Sequence, residues 1–391
     1  MLTNSYVDRT RGGVELHVYN LAKQMIRSGH TVTVCRTSPG PSTLAVDDVP
    51  LWVLQPTARG AEGRGSARQG PASFRFVSNF LSRLRVGLRA RRLIDVETLS
   101  RDFDVVHHHD FITSAVISRR LAGRGLRQVW TNHLGEFLLI RRIPIVGRFL
   151  TKLMTRKFAA ATGPSDELAE SAAIACPVEF VPNGVDTGVY RPLSGGDKAT
   201  LRGDLGLDAD EFICIVPRRW APSKGVVYAA RALLEDGWPL QSRVLFIGAG
   251  ESDYPEYASE VRQVLERTSV DYTVVDSVGP AEMARYLQAA DVCIIPSLLE
   301  ATSLSALEAM SVGLPVIATD VGGLPALVDE SNGRIVRPRS AEALASSVSM
   351  ISSAGPSARA RMGVASRTRV ESEFSWDVVA ARIAQMYGDV R

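Results

Sequence analysis

At 391 residues the chain exceeds one ordinary hydrophobic core, so two domains of about 150–200 residues each are expected. Its 45% hydrophobic and 22% charged residues exclude disordered and fibrous classes. The net charge of +3 is unevenly spread: residues 1–190 hold 25 Lys/Arg against 16 Asp/Glu, and residues 191–391 hold 20 against 26. The basic half would suit an anionic membrane surface or an anionic substrate, although an ordinary Arg-rich surface is the plainer reading. No apolar run approaches the ~18–20 residues of a membrane span, and no basic-then-apolar signal segment opens the chain. The widely separated Cys35, Cys176, Cys214 and Cys293 read as reduced thiols, which suits a cytoplasmic protein better than a disulfide frame.

In chain order, only Met1 and Leu2 precede the polar Thr3-Asn4, a first strand short enough that further residues upstream are expected. Gly12 and Gly13 open an amphipathic helix from Glu15 to Ser28, ended by Gly29 and followed by a strand, Thr31 to Cys35. A glycine pair at a helix start lets backbone approach a phosphate or sugar, although it also makes ordinary turns. Residues 56–73 have loop composition. From Phe74 to Leu99 the spacing predicts a basic amphipathic helix with Phe76, Phe80, Leu84 and Leu88 on its apolar face. The run VVHHHD at 105–110 is a strand entering a loop. Alternate strand residues face opposite ways, so its three histidines are not expected to hold a metal. A second strand ends at His133, placed either to bond a sugar hydroxyl or to serve the fold.

Residues 187–211 have linker composition. The second half restarts with a strand, Phe212 to Val216, running into RRWAPSKG at 218–225 and a helix, Val226 to Leu234. Arg219 and Lys224, between a strand end and a helix start, suit a diphosphate; two exposed loop charges are the plainer alternative. A strand at Val244 to Ile247 ends in Gly248 and Gly250, without the full glycine pattern of a dinucleotide site. The stretch 291–328 reads as strand, helix, strand: Val292 to Ile295, a segment with Leu304, Leu307 and Met310 closed by Gly313, then Val316 to Ala318. Glu300 in its loop and Glu308 in its helix stand at the mouth of this parallel crossover unit, where open α/β sheets bind ligands. Ser305 and Glu308 also match a capping box, which would make Glu308 structural. Ser340 caps a helix over Ala341 to Ile351, and Phe374 to Tyr387 forms a last amphipathic helix.

Taken together, GGVE at 12–15, VVHHHD at 105–110, His133, PNGVD at 182–186, RRWAPSKG at 218–225, PSLLEATSLSALEAMSVGLPVIATDVGG at 296–323 and FSW at 374–376 resemble the family 4 retaining nucleotide-sugar glycosyltransferases. The resemblance covers nearly the whole chain. It implies an α/β GT-B fold, with two Rossmann-like doubly wound parallel-sheet domains facing across a cleft. Residues 1–190 would form the acceptor domain and 191–373 the donor domain, with a final helix, about 374–391, crossing back. It further implies transfer of a hexosyl group from a nucleotide-diphosphate sugar to a hydroxyl acceptor.

By the same resemblance Glu308 would bind ribose hydroxyls, and Glu300 would lie by the donor sugar. Arg219 and Lys224 would hold the diphosphate together with backbone amides of Ser303, Leu304 and Ser305, with Thr302 beside them. Gly12 and Gly13 would approach the donor from the first domain, and His133 would face the reacting sugar. His133, Glu300, Arg219 and Lys224 would carry the chemistry. No metal or other cofactor is implied, and no nucleic-acid partner. The protein would be cytoplasmic, with peripheral contact to the inner membrane face as an added alternative. The chain departs from the pattern at Ala301-Thr302-Ser303, Arg218 and Asp276, where glycines are usual. A nucleotide-sugar epimerase and a catalytically silent sugar-nucleotide or glycan-binding protein are the competing functions.

Overall fold

The computed structural model describes the chain except residues 4–12, 39, 42–44, 47, 58–71, 134–145, 165–175, 194–197, 251–253 and 390–391. It divides into two compact units, Met1–Pro182 with Val379–Arg391, and Asn183–Val378.

The strands, in chain order, are β1 (Leu2–Thr3), β2 (Val34–Arg36), β3 (Gly40–Pro41), β4 (Ala45–Val46), β5 (Val49–Val53), β6 (Pro56–Thr57), β7 (Val105–His108), β8 (Arg127–Thr131), β9 (Ala160–Gly163) and β10 (Val178–Phe180) in the first unit. The second unit has β11 (Phe212–Pro217), β12 (Ser242–Ile247), β13 (Asp271–Val275), β14 (Val292–Ile295), β15 (Val316–Thr319) and β16 (Gly333–Val336). The first unit's main sheet runs β10-β9-β8-β7-β1-β2-β5-β4, with only the edge strand β4 antiparallel. The second runs β13-β12-β11-β14-β15-β16 and is parallel throughout. Numbered within that unit the order is 3-2-1-4-5-6, the doubly wound arrangement whose direction reverses between its first and fourth strands. Both domains are thus the α/β parallel-sheet type that the sequence implied.

The central strands β14 and β15 are buried at every position, because helices cover both faces of such a sheet. Each fully buried Val or Ile there contributes about 1.5–3 kcal/mol. The very short β1 still pairs with β2 and β7. All four cysteines are free thiols, three of them buried in β2, β11 and β14.

Several boundaries differ from expectation. The strand expected over Thr31 to Cys35 is Val34–Arg36. The basic helix expected to reach Leu99 is Ala72–Leu93 and a separate helix, Val96–Asp102, because the Asp95 carboxylate caps the second helix on the amides of Glu97 and Thr98. Of the apolar face expected for the first of these helices, Leu84 packs on the cluster of Ile112, Trp130 and Phe158, Leu88 is 47% exposed, and the Phe76 and Phe80 side chains lie outside the described ones; Gly87 and Ala90 are buried against the helix Phe111–Ala122. A Cβ on Gly87 would lie 3.2 Å from the Thr113 Cα, so the small residue sets the close packing. The expected loop at 56–73 falls mostly outside the described residues. The linker-like segment 187–211 carries a helix, Lys198–Asp204, whose Leu201 joins the second unit's core.

Candidate active site

The site builds up where β11 and β14 lie side by side. After β11 the chain turns through Arg218 and Arg219 into a short 3-10 turn, Pro222–Lys224, and the helix Val226–Ala232. After β14 it runs through Ser297 and Glu300 into the helix Leu304–Ser311. The Ser223 carbonyl accepts the amides of Leu298 at 2.8 Å and Leu299 at 3.2 Å, clipping the two loops together. Gly225 makes this approach possible: it sits at φ 65°, and a Cβ there would lie 1.9 Å from the Pro296 carbonyl oxygen. On the other side Gly322, at φ 53°, backs onto the Glu300 carbonyl in the same way.

That geometry gathers opposite charges. The Lys224 Nζ donates to both oxygens of Glu300 at 3.1 Å, and the Arg218 guanidinium and the Ser297 hydroxyl donate to its Oε2. Burial pushes the Glu300 carboxyl up, but the Arg218 and Lys224 charges outweigh it and hold the group below the usual range. Glu300 is therefore an anion. Lys224 is lowered by burial and by Arg218, against the pull of Glu300; the exposed Arg219 acts in the same downward direction.

Glu308 lies in the helix that follows. Burial pushes it up to about 7, against a hydrogen bond from the Tyr190 hydroxyl and the positive charge of Arg218. The alternative cap reading of Glu308 does not hold: Ser303 is the N-cap and accepts the Ala306 amide, so Ser305 lies inside the helix and forms no capping box with Glu308. Thr302 and Ser303 are buried, and Leu304 and Ser305 are half-buried at this helix start. The structure thus brings Lys224 and Glu300 together and sets Arg219, Thr302, Ser303, Leu304, Ser305 and Glu308 on the same two loop–helix segments.

Gly12 lies outside the described residues, and Gly13 is the first residue of the helix Gly13–Arg27. In the first unit, β7 turns His107 and His108 to opposite faces. His107 meets the Tyr387 hydroxyl at 2.6 Å and the Thr131 hydroxyl at 2.7 Å, and His108 meets Gln128 at 3.1 Å. The His109 Nδ1 lies 3.1 Å from the His133 Nε2. Ring nitrogens of His17, His109 and His133 all fall within 4.8 Å of one another, the trio among the described residues that could hold a metal ion. Burial drives His109 and His133 well below the ordinary imidazole range, so both are neutral near pH 7.

Sequence reasoning missed Ser297, Tyr190 and His17. Ser297 follows a strand end, which is a usable signal. Tyr190 gave none, because it meets Glu308 only through the fold.

Two parallel Rossmann-type sheets with a charged site at a strand-order reversal define the GT-B class of α/β protein. The fold is shared with sucrose-phosphate synthase from Thermosynechococcus elongatus (TM-score 0.76, 20% identical, covering all of this chain and 98% of that one). It is also shared with HepE of Anabaena in complex with UDP (TM-score 0.73, 20% identical, 99% of this chain and 98% of that one). Residues 11–189 match the family described as Glycosyltransferase Family 4, and residues 211–353 match Glycosyl transferases group 1. A D-inositol 3-phosphate glycosyltransferase of Segniliparus rotundus is 35% identical over 54% of this chain, a match that spans only 46% of that relative. An alpha-maltose-1-phosphate synthase of Mycolicibacterium smegmatis is 26% identical over all of this chain and 98% of its own. The chain belongs to the family 4, group 1 glycosyltransferases.

Proposed function

We propose that the protein is a retaining, metal-independent glycosyltransferase that moves a hexosyl group from a nucleotide-diphosphate sugar to a hydroxyl acceptor. The observation that carries this reading is the Lys224–Glu300–Arg218 cluster at the reversal of strand order, beside the start of the helix Leu304–Ser311. Fixed cations and a helix N-terminus stabilise charge growing on a departing nucleoside diphosphate, and they need no divalent ion to do so. In this reading Arg219 and Lys224 hold the diphosphate, and Thr302, Ser303, Leu304 and Ser305 line its helix side. Glu300 takes a donor-sugar hydroxyl, and Glu308 takes the ribose hydroxyls.

The roles of Gly12, Gly13 and His133 toward the donor and the reacting sugar belong to the same proposal. The UDP held by HepE supports a nucleotide sugar as substrate. Among the described residues no helix is long and apolar enough to cross a membrane. We place the activity in the cytoplasm; contact of the basic first half with anionic lipid is the added alternative to an ordinary Arg-rich surface.

A screen of nucleotide sugars against acceptor extracts in the presence of EDTA, read by mass spectrometry and anomeric NMR, tests the proposal. The expected result is acceptor-dependent transfer that keeps the donor's anomeric configuration. Inversion, or activity that returns only with added metal, would contradict it.

A further inference from the structure

We infer that Arg218 is a third cation of the donor site, in direct contact with the leaving diphosphate, and that Glu300 is its resident counter-ion until the diphosphate arrives. The inference rests on the donor reading above. Arg218 is 6% exposed, yet its bonding is incomplete. The Nη1 donates to the Ser303 hydroxyl at 3.3 Å, and the Nη2 donates to the Ser297 hydroxyl at 3.0 Å and to Glu300. The Nε is buried without a partner among the described residues. The Nε and Nη2 form the edge of the guanidinium that grips carboxylate or phosphate with two parallel bonds. Here only one prong of that edge is in use.

Arg202, in the same unit and as deeply buried, is what a structural arginine looks like. Its Nε, Nη1 and Nη2 bond the carbonyls of Ala289, Ala209 and Glu211 and the carboxylate of Asp291. Asp291 is shared with Lys198, a pair of cations on one carboxylate, but every Arg202 nitrogen there has an acceptor. At Arg218 the cations also outnumber the carboxylate, since Arg218 and Lys224 share Glu300, while a buried donor is left over. Ser303, which takes the Nη1, is the N-cap of the helix Leu304–Ser311, so the guanidinium stands at that helix's positive end. An excess of positive charge, a spare donor and a helix N-terminus together call for an anion with several oxygens. A diphosphate fits, and it would take over the prong that Glu300 leaves unused.

Calorimetric titration of UDP, ADP and GDP, each beside its monophosphate, into wild type, R218Q, R218K and E300Q tests this. Wild type is expected to prefer at least one diphosphate over its monophosphate. R218Q should lower that preference about 10–100-fold, equivalent to about 1.4–2.8 kcal/mol, with R218K in between. E300Q should leave the preference unchanged or raise it, because a competing negative charge is removed. An R218Q protein with the wild-type preference would overturn the inference and leave the donor reading standing. A loss in E300Q equal to that in R218Q would also overturn it, since Arg218 would then act only by holding Glu300. Should R218Q fail to fold, R218K and E300Q decide: R218K with the wild-type preference, or E300Q that loses the preference, would overturn the inference. A wild type that binds none of the three diphosphates overturns the donor reading itself.

Discussion

Glu308 gives the site its pH dependence. Burial raises the carboxyl from 4.5 to about 7, so the folded protein holds this proton more tightly than the unfolded chain does. Its contribution to stability is therefore full below about 4.5 and is lost as pH rises toward 7, a slope that E308Q should remove in melting curves. Binding runs the other way, because only the ionised carboxylate accepts two ribose hydroxyls. Affinity for UDP is expected to rise more steeply between pH 6 and 8 in wild type than in E308Q, where only the terminal phosphate's own ionisation remains; matching profiles would remove Glu308 from the ribose site. K224A is expected to lower the turnover number about 100-fold or more, the scale of losing a group that stabilises developing charge. That Glu300, Glu308, Arg219 and Lys224 would share two loop–helix segments was legible because they sit in compact motifs; their roles toward the donor belong to the proposal. The bonding of Arg218 and the Tyr190–Glu308 contact were not legible, since each depends on partners about 80 to 120 positions away brought close by strand order.

At the scale of elements, helix starts were read better from side-chain capping geometry than from motif spacing. Ser340 caps its helix as its position predicts, with the Ala343 amide at 3.1 Å. The capping box that the Ser305–Glu308 spacing offered as the alternative for Glu308 does not form, because the chain enters the helix two residues earlier and Ser303 takes the cap. S303A should cost about 1 kcal/mol and lower the melting temperature by roughly 2–4 °C, whereas S305A should leave it nearly unchanged. The reverse order would restore the capping box. Gly322 tests the loop itself: a Cβ there would lie 1.7 Å from the Glu300 carbonyl oxygen, so G322A must displace Glu300. Its expected signature is weakened UDP binding together with a lowered melting temperature, read by calorimetry on both counts. On the helix Ala72–Leu93 hydrophobic spacing placed Leu84 correctly but Leu88 wrongly, because the neighbouring helix packs on Gly87 and Ala90, residues that carry little hydrophobic signal.

At the scale of the whole molecule, the two α/β halves were legible from the succession of strand, loop and helix patterns and from the resemblance those motifs carry. The strand order was not, because periodicity shows where a strand lies and not which strand it pairs with. The second unit's 3-2-1-4-5-6 order concentrates the candidate donor residues at one reversal point. Hydrogen exchange with and without UDP should show protection centred on residues 218–225 and 296–308. Protection confined to the first unit would move the nucleotide elsewhere.

The most direct test of the donor site is nucleoside diphosphate release from UDP-, ADP- and GDP-sugars by wild type and K224A, with and without acceptor extract. Wild type should release diphosphate from at least one donor only when acceptor is present, and K224A should lose that release while still folding. Equal release by a folded K224A, or wild-type release that ignores acceptor altogether, would contradict the assignment.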